Sequence, residues 1–197
     1  MALSVDVEAE KRLPAEAAAR LVEDGMRVGL GTGSTVAHLL PALAERRLRL
    51  TCVATSMKTE EAARSLGLHV VRFENLPRLD IAIDGADQIA PSGWLVKGGG
   101  AAHTREKLVA AAADRFVVIA SSDKLVDRLL PPVPVELLEF GLDATLAAIA
   151  PAQLRDVPPS PDESPTISDR SRMRQSSPGA CPRHRVSSSM GCSHPGS

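Results

Sequence analysis

Two aspartates, a lysine, three consecutive glycines and a glutamate share the segment "IDGADQIAPSGWLVKGGGAAHTREK", residues 83–107. Asp84 and Asp87 flank Gly85 and Ala86, in a place where a single acid would read as a turn former. Two acids so close favour a chemical role. Lys97 supplies a fixed positive charge, and Gly98, Gly99 and Gly100 free the backbone to cradle a substrate oxygen. A helix starting near Ala101 points its N–H groups at the same place. Alone, Glu106 reads as a solvated helix residue; beside Lys97 and the glycines it reads as a base.

A second stretch, "GLGTGST" (residues 29–35), stands between an apolar run and a helical pattern. Glycines there let N–H groups approach an anion, and Thr32, Ser34 and Thr35 add hydroxyl donors. No lysine precedes the Ser/Thr, and the third glycine of a dinucleotide fingerprint would fall at Ser34. The pattern therefore points to a simple phosphate ester held by Thr32, Gly33, Ser34 and Thr35.

Five β-rich runs must position these residues: "MRVGLG", "LTCVATS", "LHVVRF", "LDIAIDG" and "FVVIASS". Ala-rich helical patterns are expected at Pro14–Glu23, Thr35–Arg46, Thr59–Leu66 and Ala101–Asp114, with Pro14 in a first turn and Pro41 as a kink. Alternating strands and helices predict an α/β fold, a mostly parallel sheet with helices on both faces. "DGAD" then lies at the carboxyl end of a strand, where open α/β sheets bind ligands. The chain is 44% hydrophobic but only 2% aromatic, so Ala, Val, Leu and Ile must pack the core.

After Pro131 the pattern changes. "PPVPVELLEFG" reads as a connector and strand, and "LDATLAAIAPAQLR" as a helix. The expected organisation is an α/β unit over residues 1–130, the start of a small α+β subdomain over 131–162, and a Ser/Pro/Arg-rich tail over 163–197 without secondary structure. The net charge of −1 gives no reason to expect nucleic acid or a membrane surface as partner, and no apolar run is long enough to span a bilayer. Three cysteines form no disulfide framework, and the N-terminus has no apolar signal core, which together suggest the cytoplasm. The tail pairs Cys181/His184 and Cys192/His194 do not make a metal site, and His38, His69 and His103 read as surface or boundary residues.

Taken in order, "GLGTGST", "TSMKTEEAARSLG", "DIAIDGADQI", "LVKGGGAAHTREK" and "VVIASSDKLVD" resemble the ribose-5-phosphate isomerases of type A. The resemblance runs from about Glu8 to Asp162. It implies an aldose–ketose isomerase without cofactor or metal, a sugar-phosphate substrate and a homodimer. It further implies that Thr32, Gly33, Ser34, Thr35, Asp84, Gly85, Ala86, Asp87, Lys97, Gly98, Gly99, Gly100 and Lys124 line the substrate site, with Glu106 as the proton-transferring base. Asp84 or Asp87 would assist ring opening. The tail departs from the family as a reading-frame shift near Asp162 would make it depart, which raises the alternative of an inactive or unstable isomerase. A sugar-phosphate sensor of similar fold would not need Glu106 beside Lys97. An amino-sugar phosphate isomerase/deaminase would need a His-containing site motif that is not evident.

Overall fold

In the computed structural model, residues 7–138 and 140–154 are described, together with the backbone of Thr166–Asp169. Four parallel strands form the central sheet: β1 (Arg27–Leu30), β2 (Thr51–Ala54), β3 (Leu79–Asp84) and, after a two-stranded antiparallel hairpin of β4 (Gln88–Ile89) and β5 (Leu95–Val96), β6 (Ala113–Val118). Their order is β2-β1-β3-β6. The third β-rich run, "LHVVRF", makes a single parallel bridge, Val70 beside Cys52, rather than a full strand. It still closes the outer flank of β2, with the N–H of Cys52 donating to His69 and that of Val71 donating back to Cys52.

From β1 the chain first steps outward to β2 and to Val70, then crosses back to β3 and on to β6 in the opposite direction. Right-handed crossovers in opposite directions place their helices on opposite faces. One face accordingly carries α1 (Val7–Ala19), α2 (Ser34–Glu45) and α3 (Met57–Ser65) over Val28, Leu30, Cys52, Ile81 and Ile83. The other carries α4 (His103–Ala111), which seats Val109 among Val53, Leu79, Ala82, Phe116 and Val118. Along Ile81–Ile83 and Phe116–Val118 successive residues serve opposite faces. Gly29 sets how close α4 can come, since a Cβ there would meet the Val109 Cγ1 at 2.6 Å.

Helix α1 begins seven residues before the expected Pro14 start, with Pro14 inside it. The missing N–H of Pro14 removes one helical hydrogen bond. The added turns gain the Glu8–His38 pair at 2.9 Å and a hydrogen bond from the Ser122 hydroxyl to Glu10 at 3.0 Å. Pro41 is likewise accommodated within α2.

Beyond residue 130, β7 (Val133–Glu136), α5 (Leu142–Ala148), β8 (Ala152–Leu154) and β9 (Thr166–Asp169) follow. The strands make a separate antiparallel sheet in the order β7-β9-β8. The helix expected to run through "LDATLAAIAPAQLR" stops at Ala148; Pro151 has no N–H to continue it, and the next three residues extend. The absence of secondary structure expected from residue 163 does not hold at Thr166–Asp169. There the short "TISD", with two β-branched residues, is the middle strand, paired on one side with Val133–Glu136 and on the other with Ala152–Leu154. The tail cysteines and His184 and His194 lie outside the described residues.

Candidate active site

The two directions taken from β1 make a topological switch point between β1 and β3, the place where α/β sheets receive ligands. At its carboxyl edge β1 runs into Gly31 and Thr32, and β3 ends on Asp84. Gly31 is required for this closeness: a Cβ there would fall on the Asp84 carboxylate. Asp84 Oδ1 accepts the N–H of Thr32 at 3.1 Å and of Gly85 at 2.7 Å. Its other oxygen lies 2.9 Å from the Lys97 ammonium.

Lys97 follows β5 and reaches back over the strand ends. Its ammonium donates to the Gly85 carbonyl at 2.5 Å and lies 3.5 Å from Glu106 Oε2. Asp84 is 3% exposed and Glu106 5%, so two carboxylates share one ammonium out of water. Burial raises the Asp84 carboxyl above its ordinary range, with Lys97 opposing. Burial, followed by the charge of Asp84, pushes Glu106 up to about 7, again against Lys97. Such a carboxyl changes protonation near neutrality, as a group that both takes and returns a proton must.

Asp87 stands just outside this cluster. Its N–H donates to Val96 at 2.8 Å and its Oδ2 accepts the N–H of Gly99 at 2.8 Å. Gly99 and Asp87 are tightly fitted, since a Cβ on Gly99 would meet Asp87 Oδ1 at 2.5 Å. Gly100 lies against the other loop, and a Cβ on it would be 3.5 Å from Thr32 Cγ2. Gly33, at φ 141°, precedes α2 and has no side chain to cap it, leaving the first turn with Ser34 and Thr35 to face an anion.

The structure thus brings together Thr32, Asp84, Gly85, Lys97 and Glu106 by direct contact, with Gly33, Ala86, Asp87, Gly98, Gly99 and Gly100 on the flanking loops and Ser34 and Thr35 in the first turn of α2. Lys124 is not joined to them. It sits on the 3-10 turn Ser122–Lys124 and pairs with Asp123 at 2.8 Å. Sequence reasoning also missed a knot of hydroxyls beneath the first loop. Thr32 Oγ1 lies 2.7 Å from Thr55 Oγ1 and 2.9 Å from Ser56 Oγ, and the Thr59 hydroxyl donates to the Gly31 carbonyl at 2.9 Å. Ser56 is also the N-cap of α3, accepting from Thr59 N–H at 3.2 Å. The signal was available in "TSMKT", a capping pattern directly after a strand. Among the described residues no group of three or more His, Cys, Asp and Glu converges as a metal site, and no helix is long and apolar enough to cross a membrane. Burial pushes the Cys52 thiol up to about 12, which leaves it unreactive.

The family model described as ribose 5-phosphate isomerase A (phosphoriboisomerase A) matches residues 51–173, past the break expected near Asp162. The chain is similar to ribose-5-phosphate isomerase A of Dinoroseobacter shibae, at 46% identity over 148 residues, covering 73% of this chain and 57% of the relative. Against the ribose 5-phosphate isomerase A structure from Methanocaldococcus jannaschii the TM-score is 0.79 at 31% identity, covering 84% of this chain and 81% of that one. A D-ribose-5-phosphate isomerase solved in complex with phospho-erythronic acid gives the same TM-score of 0.79 at 31% identity, covering 84% of this chain and 80% of that one. The chain spans less than two thirds of the length of the first curated relatives it matches, 57% and 65%.

Proposed function

Since the chain belongs to the ribose 5-phosphate isomerase A family, we propose that it interconverts D-ribose 5-phosphate and D-ribulose 5-phosphate through an enediolate. The observation that carries this reading is the buried Glu106 carboxyl, raised to about 7 and 3.5 Å from the Lys97 ammonium. The phosphate rests on Thr32–Thr35 and the open first turn of α2, which places the sugar carbons over Lys97. Glu106 takes the proton from C2 and returns it to C1, while the hydroxyl proton passes from O2 to O1. Negative charge develops on the oxygen between these steps. Lys97, already fixed by Asp84 and the Gly85 carbonyl, donates to it without reorganising.

Ring opening needs another proton carrier. Asp84 has both oxygens bonded and is buried, which suits it to holding Lys97. Asp87 is half-buried where Asp84 is buried, and its Oδ2 accepts the N–H of Gly99, so we assign to it the exchange of a proton with the ring oxygen. Lys124 reaches the substrate only by leaving Asp123, and we assign it to the rim of the site. The chemistry requires no cofactor or metal ion. A cytoplasmic location and a homodimer complete the proposal.

Conversion of ribose 5-phosphate by the purified chain tests the reading, with and without EDTA. Phospho-erythronic acid, whose carboxylate mimics the paired oxygens of an enediolate, should inhibit competitively. No turnover by a folded preparation would sink the proposal, and loss of turnover on chelation would overturn its metal-free part.

A further inference from the structure

We propose that Glu136, on β7, is a positioning residue for Glu106, acting by capping the helix that carries it. The inference rests on Glu106 being the proton carrier. Helix α4 starts after Ala102, which has no side-chain acceptor for the first N–H groups. Glu136 supplies one from a different sheet. Its Oε2 accepts the N–H of Thr104 at 2.9 Å and also the Thr104 hydroxyl. Carboxylates are the favoured occupants of a helix N-terminus, because the dipole adds to the hydrogen bond.

A second contact from the same strand reaches the other end of this loop. A Cβ on Gly98 would lie 3.0 Å from the Pro134 Cβ. Strand β7 therefore touches the segment between Lys97 and Glu106 at both ends. Glu106 lies two positions after Thr104, and its own N–H closes the first turn on the Ala102 carbonyl at 2.9 Å. Further along, Val109 is locked over Gly29. Losing the cap should loosen the first turn while the helix body stays seated, and the Glu106 carboxylate would move relative to Lys97. Misplacement of a reacting group by about 1 Å can cost on the order of 10²-fold in rate. The phosphate loop on α2 is untouched, so substrate affinity should hold.

The test compares Glu136→Ala with Glu136→Gln in the full chain, reading kcat and KM for ribose 5-phosphate and the Glu106 carboxyl titration by carbon-13 NMR. Glutamine loses the charge but keeps an oxygen acceptor. Burial, then Asp84, Lys97 and Asp87, act on the Glu106 titration. Both variants lose the Glu136 charge, so a titration that moves in alanine and recovers in glutamine reports movement of the carboxyl rather than a lost neighbouring charge. The alanine variant should lower kcat about tenfold with KM within about twofold, and Glu106 should titrate closer to the ordinary carboxylate range. The glutamine variant should recover most of both. Unchanged titration in the alanine variant, or equal losses in both variants, would overturn the proposal. If the alanine variant does not fold, Thr104→Val removes the hydroxyl half of the cap, and an unmoved Glu106 titration there overturns it equally. An inactive parent chain would count against the isomerase reading alone, because the titration would still test the cap.

Discussion

The parallel sheet and the small antiparallel sheet treat their side chains in opposite ways. Around the carboxyl ends of β1 and β3 nearly every polar group has a fixed partner: Asp84 holds two N–H groups and Lys97, and Thr32 is tied to three hydroxyls. A Cβ on Gly31, Gly98 or Gly99 would collide with Asp84, His103 or Asp87. In the antiparallel unit Leu137 is buried, but Leu138 is 75% exposed and Phe140 95%, and Gly141 has nothing within 4 Å of a would-be Cβ. The proposed chemistry is thus mounted on the part of the molecule with least freedom to shift. The other part lends it Glu136 and Pro134 and otherwise packs loosely against it. A change in the first region should cost activity or folding heavily; the same kind of change in the second should cost little.

The largest effect should come from Glu106→Gln. The amide keeps the shape but cannot accept a proton, and loss of a general base costs about 10²–10⁴-fold in kcat. The melting temperature should not fall, since burying a neutral amide removes the cost of a buried charge. Activity within a few-fold of the parent would show that the tightly held region is structural rather than chemical.

Next come paired glycine substitutions. Gly31→Ala drives a methyl into Asp84, whose Cβ as well as its carboxylate is in the way, so a rotamer change cannot relieve it. Overpacking of this kind costs about 1–3 kcal/mol, and displacing Asp84 should release Lys97 and abolish turnover. Gly141→Ala enters open space at φ 72° and should cost about 1 kcal/mol from backbone strain alone, with kcat unchanged. Equal losses from urea titrations of both would erase the contrast between the regions.

The tight region should also show itself through pH. The folded pKa of Glu106 is raised to about 7 from an ordinary value of 4.5. Below the ordinary value both folded and unfolded states are protonated, and its contribution to stability is fully present. As pH rises the unfolded chain releases its proton first, so this contribution fades and is gone above about 7, a loss on the order of 3 kcal/mol. Stability of the parent should fall between pH 5 and 8, and that slope should flatten in Glu106→Gln. Activity should move the other way, kcat/KM rising towards a plateau as the base ionises. A parent slope that survives the substitution would place the titration elsewhere.

Smaller again is replacement of Ser34 and Thr35 by Ala. Both hydroxyls sit on the open first turn of α2, where they hold substrate equally in ground and transition states. KM should rise about tenfold with kcat little changed. An unchanged KM would remove the phosphate from this loop.

How much of this was legible in the sequence also divides along the two regions. The parallel core was readable because its strands are short apolar runs, of which β1 runs into Gly31 and β3 ends on Asp84. Asp84, Lys97 and Glu106 lie close in sequence, so their convergence required only one strand, one hairpin and one helix start. The proposed partition of labour between Asp84 and Asp87 was not readable, because it depends on Gly31 and Thr32, more than fifty residues away. Thr55, Ser56 and Thr59 were not singled out, because only the fold brings them to Thr32, more than twenty residues away. In the second region Thr166–Asp169 is too short to show a period, and its order comes from pairing with two strands distant in the chain. Lys124 was placed by resemblance alone, and its local partner Asp123 is what sequence spacing could have suggested.

The smallest effect is expected at Phe140. A phenylalanine side chain 95% exposed makes almost none of the contacts from which aromatic residues draw their stabilising effect. Replacing it by serine removes little area that was withdrawn from water, so unfolding free energy should change by less than about 0.5 kcal/mol. Solubility should improve, because Leu138, two positions before it, is also exposed and the pair presents apolar surface to water. The same experiment can break the comparison. Fully burying a Phe is worth about 1.5–3 kcal/mol, so a loss in that range would mean that this ring is covered in solution and that the antiparallel unit has a partner for its apolar side. Urea unfolding of Phe140→Ser at two protein concentrations separates the sources: a loss that grows with concentration points to a second copy, and one that does not points to this chain's own remaining residues.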